Sequence, residues 1–371
     1  MILSIIILFF LLLYFSFLIV CVVTLIFLKS EKNIVSNNPS VSVIVAIRNG
    51  DKSLPNLINC FLKQKYSGKV EYILVDDQSS DNTKNIIQEI EKKDKRFKYV
   101  SSITGSQNLN HKKRALDAGI KLSQNSILLF TDVDCIVSNK WVSSMAQSFA
   151  NNIDYVIGFS RAKLVYGYAN LFQRVDFLIL FFSGVAATYL NYPIASSGQN
   201  QAYRRSLFDK VGGYSKISNL LMGDDSIFLQ LCLKSKINVK FCLNQNSFVY
   251  CRPEKTWKSL LLQRARWAGD GKIMWKYNFP FYLIMISTVL INFLIILLLF
   301  FDFSYLLVSI VLMKFFLEGA LAYIGSYRMN QNISISNFIY WFILNIPYVC
   351  AMCIASFFVR FISWKNRGQL K

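Results

Sequence analysis

Two aspartates one residue apart close an apolar run in SILLFTDVDCIVSNKW (126–141), Asp132 and Asp134. If the strand stays extended, residues two apart project to the same side and offer two hard oxygen ligands to a divalent cation. Mg²⁺ takes one or two protein carboxylates and fills its shell with water and substrate phosphates, and Mn²⁺ accepts similar ligands, so the pair suits a metal with a diphosphate. A second pair, Asp76 and Asp77, ends the apolar run VEYILVDD (70–77) before a Ser/Asp/Asn turn. An acid there either caps the next helix or meets a ribose or base. VSVIVAIRNG (41–50) also ends in polar residues, Arg48 among them, and opens on the same edge. GDDSIFLQLCLK (223–234) sets Asp224 and Asp225 at the start of an apolar helical pattern. Acids favour a helix N-terminus, and in a chain this poor in histidine they are also the best available general base. QRARW (263–267) places Gln263, Arg266 and Trp267 on one helix face, at i, i+3 and i+4. Arginine beside an indole suits a diphosphate and a sugar ring, and it equally suits a membrane-surface helix with Trp257, Trp267 and Trp275 as interfacial anchors.

Composition narrows the chemistry. The 371 residues contain one histidine, His111. That removes the HExxH metalloproteases, zinc sites needing two imidazoles and most Ser-His-Asp hydrolases. Apolar residues make up 54% and charged ones 17%, above the usual apolar share for soluble domains and far from the composition of a disordered chain. Lys plus Arg number 41 against 21 Asp plus Glu. An excess of +20 favours phosphate-bearing partners or marks cytoplasmic loops beside membrane spans. It is spread among loops rather than gathered into a nucleic-acid reader, so no nucleic-acid partner is expected. Eight scattered cysteines do not follow a secreted-domain spacing, and the Cys350–Cys353 C-x-x-C lies in an apolar run without redox context.

The elements that must position these residues fall into four stretches. Residues 1–28 read as a transmembrane signal anchor, with Lys29 and Lys32 directing the following chain to the cytoplasm. Residues 29–40 are a polar linker. From 41 to 276, short β-branched runs alternate with helical patterns, which predicts an α/β domain with a mainly parallel sheet and ligands beyond the strands' carboxyl ends. Residues 277–371 carry three apolar segments, 279–301, 303–325 and 335–362, each long enough to span a bilayer. Lys314 and Glu318, at i and i+4, either pair within the second segment or face a bundle interior. Three spans would leave Arg360, Lys365, Arg367 and Lys371 outside, against the positive-inside bias, so one segment is expected not to cross. Pro347 marks a kink or a re-entrant hairpin in the third. FLILFFSGVAATYL (177–190) is too short to span and is expected as a buried or interfacial helix of the α/β domain.

In this order, VDDQSSDNT, TDVDC, SSGQNQAYRRSLFDKVGGY (196–214), GDDSIFL and QRARW resemble the membrane-bound family 2 glycosyltransferases, over roughly residues 41–274. The resemblance implies a GT-A type, Rossmann-like sheet domain. It implies that Asp77, with Asp76 behind it, meets the base or ribose of a nucleotide-sugar, with Arg48 in the same site. Lys112, in HKKRALDAG, falls at the family's lysine near the diphosphate. Asp132 and Asp134 match the D-x-D, Asp134 being the firmer ligand for Mg²⁺ or Mn²⁺. Asp225 matches the base, with Asp224 in place of the commoner glutamate, and either aspartate can fill the role. Gln263, Arg264, Arg266 and Trp267 complete the implied donor site, and Gly50 and Asp51 replace a commoner acid pair. The implied reaction is an inverting, metal-dependent transfer from a nucleotide-sugar to a lipid or lipid-linked acceptor at the cytoplasmic face of a bacterial plasma membrane. A processive polysaccharide synthase and a non-catalytic nucleotide-sugar-binding protein are the alternatives.

Overall fold

The computed structural model describes residues 2–28, 38–150, 152–301 and 304–358. The chain opens with α1 (Ile2–Phe27), then β1 (Val41–Ile47), α2 (Leu54–Leu62), β2 (Val70–Asp76), α3 (Thr83–Lys93), β3 (Phe97–Ser101), α4 (His111–Leu122) and β4 (Ile127–Phe130). It continues through β5 (Ile136–Val137), α5 (Trp141–Gln147), β6 (Tyr155–Gly158), β7 (Ser160–Ala162) and the long α6 (Tyr168–Tyr189). Next come β8 (Gln201–Arg204), α7 (Arg205–Val211), α8 (Ser226–Leu233), β9 (Val239–Cys242) and β10 (Val249–Cys251). The last helices are α9 (Trp257–Ile273), α10 (Phe279–Phe301), α11 (Tyr305–Arg328) and α12 (Ile335–Ala355).

Two units result, one of Ser30–Lys163 with Ala195–Arg252, the other of Met1–Lys29, Leu164–Ile194 and Pro253–Lys371. The first is the α/β unit. Its seven-stranded sheet has the order β3-β2-β1-β4-β8-β6-β9. The β1, β2, β3 and β4 strands run parallel, in a register that pairs Ile47 with Asp76, Asp76 with Ser101 and Ile44 with Phe130. Their β-branched and aromatic side chains are almost all buried, the pattern of strands covered on both faces. At β8 the direction reverses, and Gln201 pairs with Phe130. That register brings the segment before β8 beside the residues following β4. Gly119 lets α4 lie close on this sheet, since a Cβ there would stand 2.6 Å from Ile44 Cγ2 and 2.9 Å from Val75 Cγ2. Asn200, fully buried, donates to the carbonyls of Phe159 and Ser247 and accepts from the Trp141 indole N–H at 3.0 Å.

The second unit is helical. Five of its helices, α1, α6, α10, α11 and α12, are long and apolar enough to cross a membrane. Several charged side chains inside it are paired. Lys314 meets Glu318 at 2.6 Å within α11, and Glu318 also accepts from Tyr14 of α1 at 2.6 Å. Arg328 donates to the carbonyls of Leu25 and Leu28.

Three sequence expectations change here. The 177–190 run belongs to the 22-residue helix α6, which sits in the helical unit rather than in the α/β unit. Its polar first turns, YANLFQR, are helical too and extend it to spanning length. The α/β unit therefore ends at Arg252 and is interrupted by 164–194, instead of running unbroken over 41–276. Pro347 stands inside a continuous α12, so no hairpin forms there. The tail residues Arg360, Lys365, Arg367 and Lys371, and linker residues 29–37, lie outside the described residues.

Asn200→Ala would strand two carbonyls and an indole N–H in the core. The substitution is expected to destabilise the α/β unit by about 3 kcal/mol, read as a lower unfolding midpoint by tryptophan fluorescence in detergent.

Candidate active site

The parallel strands end at one edge, and the charged residues gather there. β4 stops at Phe130, so Asp132 and Asp134 stand on a turn rather than on an extended strand, and the premise that they share a strand face does not hold. Both are partly exposed. The turn closes with the Cys135 N–H donating to the Asp132 carbonyl at 3.1 Å.

Lys112 lies in the first turn of α4, and its ammonium stands 3.0 Å from Asp132 Oδ1 and 3.2 Å from Asp224 Oδ2. One cation thus joins the D-x-D turn to the acid pair. Burial presses the Lys112 ammonium towards its neutral form, but Asp132, Asp224 and Asp225 outweigh that and hold its pKa well above the ordinary lysine value.

Asp225 is the N-cap of α8 and accepts from the Ser226 N–H at 2.6 Å. Its other oxygen accepts from the Gly198 N–H at 3.2 Å. Burial first, then repulsion from Asp224, pushes its carboxyl up to about 6, against the pull of Lys112 and the two N–H bonds. The capping reading of GDD is thus met by Asp225. Gly198 makes the close approach possible: a Cβ there would stand 3.0 Å from Lys112 Nζ and 3.2 Å from Asp224 Oδ2.

The acid pair is braced from the β8 side. Gln201 is fully buried, donates to the Asp224 carbonyl at 3.1 Å and accepts from Tyr155 and Ser196 at 2.6 and 2.9 Å. Ser226 and Ser196 exchange two hydrogen bonds, hydroxyl to carbonyl at 2.9 Å and N–H to hydroxyl at 3.1 Å.

Asp76 and Asp77, both buried, close β2 on the same edge. Asp76 Oδ1 accepts from the Ser79 N–H at 3.0 Å, the Asp77 N–H donates to Ile47 at 2.7 Å, and Arg48 donates to the Asp77 carbonyl at 3.1 Å. Asn49 and Gln78 adopt positive φ at these strand ends, 49° and 56°.

The QRARW residues fall in the helical unit. Arg264 is buried, stands 2.6 Å from Asp176 of α6, and its guanidinium lies over the rings of Phe177 and Trp267 at 4.8 and 4.2 Å. Gln263 donates to Glu254 at 3.0 Å, burial lowers the Arg266 pKa against the pull of Glu254, and Trp267 stacks on Phe177. A part for Gln263, Arg264, Arg266 and Trp267 in a donor site rests on the sequence resemblance alone.

Sequence reading named no role for Ser196, Gly198, Gln201, Tyr155 or Lys113. The first three sit in the quoted 196–214 segment, so a signal existed for them. Lys113 and Tyr155 had none.

Glycosyl transferase family 2 matches residues 42–212, and Glycosyl transferase family group 2 matches residues 130–354. The chain is 23% identical over 251 residues to the probable glycosyltransferase YdaM of Bacillus subtilis, covering 66% of this chain and 58% of that protein. It is 34% identical over 115 residues to the 4,4'-diaponeurosporenoate glycosyltransferase of Staphylococcus haemolyticus, covering 30% of this chain and 28% of that protein. The matched stretches thus span little more than half, or less, of the length of these curated relatives. In structure the chain resembles the mannosyltransferase PcManGT of Pyrobaculum calidifontis, solved with GDP-Man and Mn²⁺, with a TM-score of 0.60 at 13% identity over 97% of this chain and 99% of that one. That likeness shows the GT-A-like α/β fold.

Gly198→Val would drive a branched side chain against Lys112 and Asp224. Nucleoside diphosphate release from a turned-over sugar nucleotide is expected to fall at least about tenfold, since misplacing a reacting group by a fraction of an ångström costs that much, with little change in the unfolding midpoint.

Proposed function

The chain belongs to the family 2 glycosyltransferases, and from that premise we propose that it moves one sugar from a nucleoside diphosphate sugar to a hydroxyl of a membrane lipid or lipid-linked acceptor, with inversion and with a divalent metal. The observation that carries this reading is Lys112 standing between Asp132 and Asp224. It sets the carboxylates suited to a metal–diphosphate beside a carboxyl pair suited to base catalysis.

Asp132 and Asp134 fit Mg²⁺ or Mn²⁺ as two partly exposed hard oxygen donors. An ion of this kind takes one or two protein carboxylates and completes its shell from water and phosphate. When bound, such an ion neutralises charge on the departing diphosphate. The chain's own residues do the rest. Lys112 exchanges part of its carboxylate pairing for diphosphate oxygens. Arg48, Asp76 and Asp77, at the ends of β1 and β2, hold the nucleoside at the carboxyl edge of the sheet. The Asp225 carboxylate accepts the acceptor hydroxyl's proton as that oxygen bonds to the anomeric carbon. The bond from that carbon to the diphosphate oxygen breaks with its electron pair leaving on the nucleoside diphosphate, and the single displacement inverts the centre. The long apolar helices support an acceptor held at a membrane.

The Asp225 value gives the reaction a pH dependence. A base must be deprotonated, so kcat/KM, which reports the free enzyme, is expected to level off above about pH 6 and to fall about tenfold per unit below it. Asp225→Asn removes the base and is expected to lower turnover by about 10²-fold or more, with nucleoside diphosphate affinity little changed; full turnover in this variant would refute the assignment. Asp134→Ala is expected to abolish the extra thermal stabilisation that UDP or GDP gives with Mn²⁺ over the same nucleotide with EDTA.

A further inference from the structure

Lys113, next to Lys112 on α4, points the other way round the helix and is one of the most buried charged side chains in the α/β unit, 1% exposed. Residues adjacent on a helix diverge by roughly 100°, so one lysine faces the carboxylates and the other faces inward. Its ammonium donates to the carbonyl of Leu220 and, at 2.9 Å, to that of Met222. Those carbonyls belong to the loop that runs directly into Gly223, Asp224 and Asp225. Gln201 grips the next alternate carbonyl, that of Asp224, from the β8 side. Three alternate carbonyls, 220, 222 and 224, are thus held by two buried side chains. An uncharged Met of similar length would fill this space without the desolvation cost of a buried ammonium. The position therefore makes physical sense where the loop must be held rigidly.

We propose that Lys113 is a positioning residue: its ammonium clamps the 220–222 loop so that the acid pair stays against Lys112 and the Asp225 carboxylate keeps its aim. The proposal rests on the reading of Asp225 as base. It predicts a defect in the chemical step rather than in donor binding, because the carbonyls that Lys113 holds, those of Leu220 and Met222, lead directly into the acid pair. The amide N–H groups of Phe228 and Leu229 bond to Gly223 and Asp225 and report the state of the turn directly.

The test uses the full chain in detergent, as wild type, Lys113→Met, Lys113→Arg and Asp225→Asn. Hydrogen exchange is followed at 223–229, and nucleoside diphosphate release is measured with a panel of UDP-, GDP- and dTDP-linked hexoses. Lys113→Met should exchange at these amides at least about tenfold faster, other peptides being unchanged. Its kcat should fall about 10- to 100-fold with donor KM within about twofold of wild type. Lys113→Arg, which keeps the charge and the donors, should recover most of both. Unchanged exchange at 223–229, a wild-type kcat, a defect in donor KM alone, or no recovery by Lys113→Arg would each overturn the clamp. Full turnover in Asp225→Asn with a loosened turn in Lys113→Met would instead overturn the base reading and leave the clamp standing. A wild-type Lys113→Met beside an inactive Asp225→Asn would do the reverse.

Discussion

At 3.0 Å from Asp132 and 3.2 Å from Asp224, the Lys112 ammonium is the charge that lets three carboxylates share one corner of the α/β unit. Near a protein surface two like charges 4 Å apart repel by about 4 kcal/mol, so acids gathered this closely must take up protons or move apart unless a cation joins them. Here the cation is built in. Even so, Asp225 is held at about 6, because burial and Asp224 outweigh the help it receives. A carboxyl that titrates there is ionised at neutral pH and more basic than an ordinary aspartate.

The fold supplies that corner by register. The β1 and β2 strands end level, β4 stops earlier, opposite Ile44, and the reversal at β8 sets Gln201 opposite Phe130. The 196–201 segment can then supply an N–H to Asp225, an amide to the Asp224 carbonyl and a glycine surface against Lys112. Each contact is weak alone. Together they hold a loop that lacks regular structure of its own.

In the helical unit polar groups follow the rule for apolar surroundings, where an unpaired charge is far more costly than a paired one. Glu318 takes both Lys314 and Tyr14, which joins α1 to α11, and Asp176 takes Arg264, which joins α6 to α9. These pairs fix which helices are neighbours more than they add stability, since an apolar core of the same shape would serve as well energetically.

Much of the layout was legible in the chain. Strand and helix periods of 2 and 3.6 residues are local, so the alternating pattern of 41–134 and the three C-terminal apolar helices could be read directly. So could the acids at the strand ends, although the local pattern leaves open whether each caps the following turn or meets a ligand. The limits lay where neighbours distant in sequence decide. Nothing local shows that β4 stops at Phe130 and puts Asp132 and Asp134 on a turn, or that YANLFQR joins the apolar run into a 22-residue helix of the other unit. Nor does any local pattern distinguish Lys112 from Lys113, two adjacent lysines of one helix; the family resemblance singles out Lys112 and gives Lys113 no role. Only the packing of α4 against the sheet sends one ammonium to the carboxylates and the other to the carbonyls of a loop more than a hundred residues away, because side-chain direction on a helix has meaning only once its face has a partner.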